Sequence, residues 1–526
     1  MEISTGALAL PLVGLAIFYA LGRCLYILFF HPLSGFPGPK FAAIGLSELY
    51  YDVLKDGTYL WEIERMHKKY GEFANHFHAG HLLTVPGPIV RINARELHIL
   101  DPEYYGEIYS GGSRRVSKDP ATVKVFAVPT AMVATLDHMH HRARRGYLSH
   151  YFSKRTVHEV EPLIGERVDR LCGRFDEALE KKTPLNLDAA FSALTADVIT
   201  MRFYGQHFDY LGKEHFHSAI RDTFAGVMSI YHLTRFLPGI LPALKSLPMP
   251  IMKAVMPSVA ELETIRDGIK NDALNSLKQK DYSGSAPVIA SMLEDTSVPA
   301  EERTIDRLMD EGTTLTFAGT ETTARSLSIA SFYLLNDKPR FNKLRSELNN
   351  LPKSQDTSWA LSQLQSLPYL TGVINECLRL AFGAAGRFSR VATEEALQYG
   401  DYAIPPGTPV TQSTYFVHTD PSIFPKPFEF RPERWIEANK EGVPLDRYLV
   451  SFSKGRRQCL GMTLAYAELY ITIARVVSSY DMSLHNTTID DIGIHHVTLV
   501  GKPKKIKGQG PTYGEVEVNV LGKVAQ

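Results

Sequence analysis

Residues 304–336 carry one uninterrupted helical period of apolar side chains. At 1.5 Å per residue such a helix is about 50 Å long, enough to cross a whole domain. A chain that holds it must build a large body around it, and the periodicity elsewhere predicts what that body is made of. Residues 59–69, 138–152, 159–181, 188–204, 339–349, 369–380 and 464–479 read as amphipathic or buried helices. Strand-like pieces are few and short, at 89–92, 403–404 and 409–414. The expected fold class is mainly α with small β-sheets, in one large domain. In the middle of the long helix stands "AGTET", residues 318–322, a run of poor helix formers. Small residues there let a ligand approach the backbone, and threonine hydroxyls can bond to carbonyls one turn earlier and distort the helix. The alternative is a solvated polar patch.

The other long apolar run is N-terminal. Residues 3–30 are broken mainly by Arg23, and about 20 such residues cross a bilayer as a helix. The run ends in bulky "YILFFHP", whereas a cleaved signal ends in small residues, so a retained anchor over 1–30 is expected. Glu2 precedes the run, and Arg23 and Lys40 lie within or after it, which places the bulk of the chain in the cytoplasm. "HPLSGFPGPK", 31–40, reads as a stiff proline-rich hinge. A catalytic body over 41–500 and a tail over 501–526 complete the expected organisation. Residues 224–259 are apolar but cut by five prolines, so they form core, touch the bilayer or make a lipophilic entry route.

Charge adds mostly exclusions. Lys and Arg number 57 against 57 Asp and Glu, which gives no reason to expect a nucleic-acid partner. Four widely spaced cysteines form neither a zinc pattern nor a disulfide framework. No Gly-x-Gly-x-x-Gly follows a strand, so a flavin or nicotinamide domain is not expected.

One of those cysteines stands in "SFSKGRRQCLG", 451–461, where Phe452, Gly455, Arg457, Cys459 and Gly461 fit Phe-x-x-Gly-x-Arg-x-Cys-x-Gly. A helix-like segment follows at once, so its first N–H groups point at the sulfur and temper its negative charge. The five positions resemble the haem-binding loop of the cytochrome P-450 family, whose cysteine thiolate is the axial iron ligand and favours O–O cleavage. The wording of "FFHPLSGFPGPK" and "DHMHHRARRGYLSHYFSKR" is similar to filamentous-fungal monooxygenases of secondary metabolism, of the trichodiene-oxygenase type.

The resemblance implies a cytochrome P-450 fold, a haem b cofactor (iron protoporphyrin IX) held by Cys459, and roles for named residues. Arg457 would pair with a haem propionate, Phe452 would pack near the proximal face, and Gly461 would leave room for it. His141 and Arg145 stand where the family has Trp-x-x-x-Arg, and Arg390 is at the other propionate position, with Arg387 as the alternative. Arg142 and Arg144 are expected in solvent or on a reductase-facing surface. Glu321 and Thr322 would be the acid and hydroxyl of a proton relay. "ECLR" and "FEFRPERW" supply Glu376, Arg379 and Arg434, a buried structural network. Phe126, Val128, Phe317, Ala318, Ala384 and Ala385 match substrate-contacting regions. The implied activity is oxidation of a lipophilic small molecule, terpenoid first and polyketide or alkaloid as alternatives, at the endoplasmic reticulum membrane. Electrons would come from a separate NADPH-cytochrome P-450 reductase. A haem-thiolate isomerase or dehydratase, or a non-catalytic haem protein, are the rival readings.

"EFANHFHAGHLLTVPG", 72–87, departs from the family pattern. His76, His78 and His81 suggest a metal site, and a surface insertion is tolerated by stability. A third reading is a retained intron: these residues can be encoded with splice-donor, branch-point and acceptor sequences, and deleting them restores "KKYGPIVRIN" in frame.

Overall fold

The computed structural model describes residues 5–74, 88–109, 112, 114–126, 128–206, 208–279, 287–351, 359–506 and 513–524. It is mainly helical with four small sheets. Its contacts resolve two compact units where the sequence suggests one: Met1–Asp119 with Arg387–Gln412, and Pro120–Gly386 with Ser413–Gln526.

The first unit begins with the Thr5–Leu25 helix, which runs on through a wider turn at Tyr26–Phe30. Leu12–Phe30 has a mean hydropathy of 2.0 and is almost wholly exposed, long and apolar enough to cross a membrane. The proline hinge after it is docked rather than free. Arg91 donates from its backbone to Pro37 O at 2.7 Å and from its guanidinium to Ile27 O at 3.0 Å and Leu33 O at 3.3 Å. A five-stranded sheet follows in the spatial order Ile89–Arg91, Leu97–Ile99, Pro409–Thr411, Arg390–Ala392, Val116–Lys118. Only the Leu97–Ile99 and Pro409–Thr411 pair is parallel. The last expected strand stops short at Thr411, because Ser413 caps a new helix, Thr414–His418.

The second unit is built around the long helix, Ile305–Asn336, with Thr304 accepting the Arg307 N–H as its cap. The helix stays α through 318–322, so the expected distortion does not occur. A Cβ added at Gly312 would lie 2.4 Å from Tyr204 Oη, and one at Gly319 would lie 3.1 Å from Ile199. Both glycines therefore serve the close approach of the buried Leu187–Tyr204 helix rather than a ligand. Pro368–Ala381 and Met462–Ser479 pack against other parts of the same helix.

The stretch read as a tail is structural. Glu517–Lys523 is the middle strand of a sheet with Leu185–Asn186 and Tyr480–His485, and Val516, Val518 and Val520 are buried. Its Val-x-Val-x-Val alternation is the strand signal. Residues 224–259 break at their prolines into short helices, Tyr231–Phe236, Ile240–Lys245 and Met249–Val255. Leu241, Met252, Val259 and Ala260 form a core there, while Leu237, Ile251 and Val255 are exposed. In the unusual insertion, the Tyr59–Ala74 helix takes in 72–74, and the three histidines lie outside the described residues.

Candidate active site

The cysteine loop is shaped by backbone geometry. Gly455 has φ of 73°, a left-handed turn that favours glycine. The turn lets Gln458 N–H reach Gly455 O at 3.0 Å and Cys459 N–H reach Phe452 O at 2.9 Å, which folds the loop back on itself. Behind it Gly383, φ of 57°, passes so near Ser451 that a Cβ would lie 2.4 Å from its carbonyl oxygen. Ser451 Oγ donates to Leu378 O at 2.8 Å, tying the loop to the Pro368–Ala381 helix.

Cys459 stands three residues before the helix Met462–Ser479, and the N–H groups of Gly461 and Met462 point at its sulfur. It is the one exposed cysteine, yet surrounding protein pushes its thiol pKa up by burial. Exposure together with desolvation describes a group that lines an internal space. Those two N–H groups and the Arg145 guanidinium pull the pKa back down. Arg145 is fixed by its bond to Gln458 O at 2.6 Å. Arg457 donates to Thr135 O at 2.7 Å and Leu136 O at 2.6 Å, Phe452 packs on Tyr466 with ring centroids 5.4 Å apart, and His141 is buried. Arg144 departs from expectation: it bonds Glu302 at 2.9 Å in a shielded cluster with Arg307 and His140.

Glu376 accepts five hydrogen bonds: from Arg379 Nε and Nη2 at 2.9 and 2.8 Å, from Arg434 Nε and Trp435 Nε1 at 3.0 Å each, and from Arg431 N–H at 2.9 Å. Glu376, Arg379 and Arg434 are all buried. Sequence reasoning missed Trp435 and also His418, which joins this cluster to the cysteine loop. His418 Nδ1 lies 2.9 Å from Arg379 O, and Nε2 accepts the Val450 N–H at 2.9 Å.

On the long helix, Ala318 is exposed between half-buried Phe317 and Gly319, and Thr322 Oγ1 donates back to Ala318 O at 2.8 Å. Glu321 accepts from Ser192 Oγ at 3.0 Å. Phe126 and Phe317 pack together against Val125, Phe224, Met228 and Tyr231, with Val227 and Leu499 beside them. Phe224 and Val227 open the apolar stretch read as core, bilayer contact or lipophilic entry route, whereas nothing in the local pattern sets Leu499 apart from core. Val128 and Ala385 are buried and Ala384 is half-buried.

In the first unit the structure distinguishes the two candidate arginines. Arg387 is spent on Glu48 at 2.6 Å and Asp52 at 2.7 Å, with Glu96 at 3.6 Å. Arg390 is buried over the Tyr109 ring and bonds the carbonyls of Phe388 and Ser389, but its Nε has no hydrogen-bond partner among the described residues.

Residues 59–508 match the cytochrome P450 family. The chain belongs to the cytochrome P450 family. It is 50% identical over 514 residues to the cytochrome P450 monooxygenase TRI4 of Trichoderma arundinaceum, covering 97% of this chain and 96% of the relative. TRI4 of Fusarium sporotrichioides is 49% identical over 96% of this chain and 94% of the relative. The conidiogenone synthase PchP450 of Penicillium rubens is 42% identical over 93% and 96%. The crystal structure of a cytochrome P450, CYP102L1, superposes with a TM-score of 0.65 at 18% identity, over 82% of this chain and 91% of that one, and shows the shared fold. This P450 is thus a monooxygenase, an oxidoreductase, and its family and fold imply a haem cofactor.

The residues around Cys459 fit such a group. A thiol that is exposed yet desolvated suits a metal cation, which supplies the stabilisation that burial removes, and the Gly461 and Met462 N–H groups stand ready to share the sulfur's charge.

His418 makes a pH prediction. Its two bonds require a neutral ring with the proton on Nδ1, since a second proton would face the Val450 N–H. Burial, with Arg379 assisting, pushes its pKa down to about 3. The unfolded chain takes up this proton near pH 6.5 and the folded one does not, so stability is present above that value and lost as pH falls toward 3. The slope is roughly 1.4 kcal/mol per pH unit in that window. The unfolding temperature of the wild type will fall more steeply between pH 6.5 and 4 than that of His418→Gln. Parallel slopes would show that His418 carries no such linkage.

Proposed function

We propose that this P450 oxidises a lipophilic terpenoid-like small molecule in fungal secondary metabolism, with electrons from a separate NADPH-cytochrome P450 reductase. We place it at the endoplasmic reticulum membrane with its catalytic part in the cytoplasm. The observation that carries the substrate class is the apolar wall of Phe126, Phe224, Phe317, Tyr231 and Leu499, beside the helix that holds Glu321 and Thr322. It offers large apolar surface to a hydrocarbon skeleton. Two of the relatives are named cytochrome P450 monooxygenases and one a conidiogenone synthase, which supports oxidation in fungal secondary metabolism.

Haem b, when bound, supplies the iron at which dioxygen is reduced and one oxygen atom passes to substrate. Cys459 would hold that iron through its sulfur, with its negative charge eased by the Gly461 and Met462 N–H groups and by Arg145. Arg457, His141, Arg145 and Arg390 are the candidates for the two propionates. The aromatic wall orients substrate and excludes water. Thr322 must turn its hydroxyl hydrogen from Ala318 O, now 2.8 Å away, to hand a proton to the reacting oxygen, and Glu321 replaces that proton. Electrons arrive on the face that carries Lys454 and Arg456, the latter anchored 2.8 Å from His138.

Membranes containing this chain and a fungal reductase, given a panel of terpene scaffolds, will form NADPH-dependent hydroxylated products. Thr322→Ala will lower product per NADPH by about tenfold or more and release hydrogen peroxide instead. Full coupling in that variant would remove the relay, and no product across the panel would remove the substrate class.

A further inference from the structure

The stretch from Val128 to Asp137 is held mainly by what surrounds it. Its own turns satisfy the Ala131, Ala134 and Thr135 N–H groups, while those of Thr130 and Met132 are met from outside by two consecutive acids on the long helix. Asp310 accepts from Thr130 twice, from its N–H at 3.0 Å and from its hydroxyl at 2.6 Å. Glu311 accepts the Met132 N–H at 2.9 Å. Both acids are buried, and each is backed by a guanidinium. Arg266, on the Pro257–Gln279 helix, reaches Asp310 at 2.7 Å, and Arg307 reaches Glu311 at 2.6 Å.

The far end of the stretch carries Arg457. Thr135 O and Leu136 O accept from its two terminal nitrogens at 2.7 and 2.6 Å. Carbonyls orient a guanidinium without cancelling its charge, which suits a residue meant for an anionic group. Thr135 ties the two ends together, because its hydroxyl donates to Ala131 O at 3.0 Å and accepts from Arg144 at 2.9 Å. Arg144 in turn bonds Glu302 at 2.9 Å, and Arg307 bonds the same Glu302 at 3.0 Å. The support for Thr135 and the support for Met132 therefore meet in one arginine, and hydrogen bonds and ion pairs run unbroken from the long helix to Arg457.

We propose that Asp310, Glu311 and Glu302 are positioning residues for Arg457: through residues 130–136 they set where its guanidinium stands, and so how firmly a haem propionate is held. The inference rests on the reading of Arg457 as a propionate partner and names the acids with which this chain aims it. Arg144, Arg266 and Arg307 balance the three acids. Buried ion pairs return little net stability once their desolvation is counted, and what this set returns is a fixed backbone path.

The test uses the full-length, haem-loaded protein and reads the rate at which excess apomyoglobin extracts its haem. Arg457→Ala will raise that rate about tenfold, the loss of one charge-assisted bond. Asp310→Asn, Glu311→Gln and Thr130→Val will each raise it about threefold, because each loosens the stretch and leaves Arg457 in place. Combined with Arg457→Ala, each will add less than about 1.5-fold, since the side chain they act through is gone. Effects that multiply with that of Arg457→Ala overturn the proposal, because a merely structural loosening would add to it. Wild-type rates in the three single variants overturn it as well. Thr130→Val, which keeps the side-chain shape, decides the matter if the acid variants lose the thiolate-type carbon-monoxide band and so fail to assemble. A wild-type rate in Arg457→Ala overturns the propionate reading itself, and the proposal falls with it.

Discussion

Replacing Cys459 with alanine will abolish both the red-shifted carbon-monoxide band of the reduced protein and all NADPH-dependent product formation. The wild-type chain, expressed in membranes, will show that band. The expectation rests on a thiol placed where a free cysteine has no reason to be. It is open to an internal space but desolvated, with two backbone N–H groups and a guanidinium arranged around it. Burial disfavours the thiolate, and a bound cation favours it. Cys172 and Cys377 make the contrast, because burial pushes Cys172 up to about 11 and Cys377 higher still. Cys172→Ala or Cys377→Ala will leave the band in place. A thiolate band that survives Cys459→Ala, or is missing from the wild type, would overturn the assignment of the ligand.

Glu376→Ala will cost about 3–5 kcal/mol of stability, the usual penalty for orphaning a buried charge. Against a total of roughly 5–15 kcal/mol for a folded domain, that loss will leave little haem-loaded protein. Five donors converge on this carboxylate, and three of them belong to two buried guanidiniums that have no other carboxylate in reach among the described residues. An exposed pair sets the scale: Arg115 and Glu394 meet at 3.0 Å in solvent, and Glu394→Ala will change stability by about 1 kcal/mol or less. Thermal unfolding of the three proteins at one pH checks both figures. A wild-type transition in Glu376→Ala would show that the cluster is tolerated rather than required.

Much of this was legible in the sequence because the pattern and the structure obey the same rule. The 32-residue helix Ile305–Asn336 begins one residue after the threonine that caps it and ends where its period ends. The loop positions 452–461 were readable because left-handed backbone at Gly455 and a helix start at Met462 demand particular residues at fixed spacing. Long-range placement was not readable. Nothing local marks His418, whose value lies in bridging Arg379 O to the Val450 N–H. The role of Gly319 was misread for a related reason. A small residue on a helix announces a close approach but not the partner, and here the partner is Ile199. The terminal strand was taken for a tail because an edge of three valines among polar residues earns its meaning only from the strands on either side.

That strand has a consequence for how the molecule is made. Glu517–Lys523 lies between Leu185–Asn186 and Tyr480–His485, so its sheet draws on segments far apart along the chain. Synthesis runs from the N-terminus, and pairings between distant segments are slow to form. The apolar leader is translated long before the strand that completes this sheet emerges from the ribosome. The nascent enzyme must therefore wait with Leu185 and Met482 lacking their partner strand. A chaperone that shields this surface until Glu517–Lys523 emerges will raise the yield of folded protein.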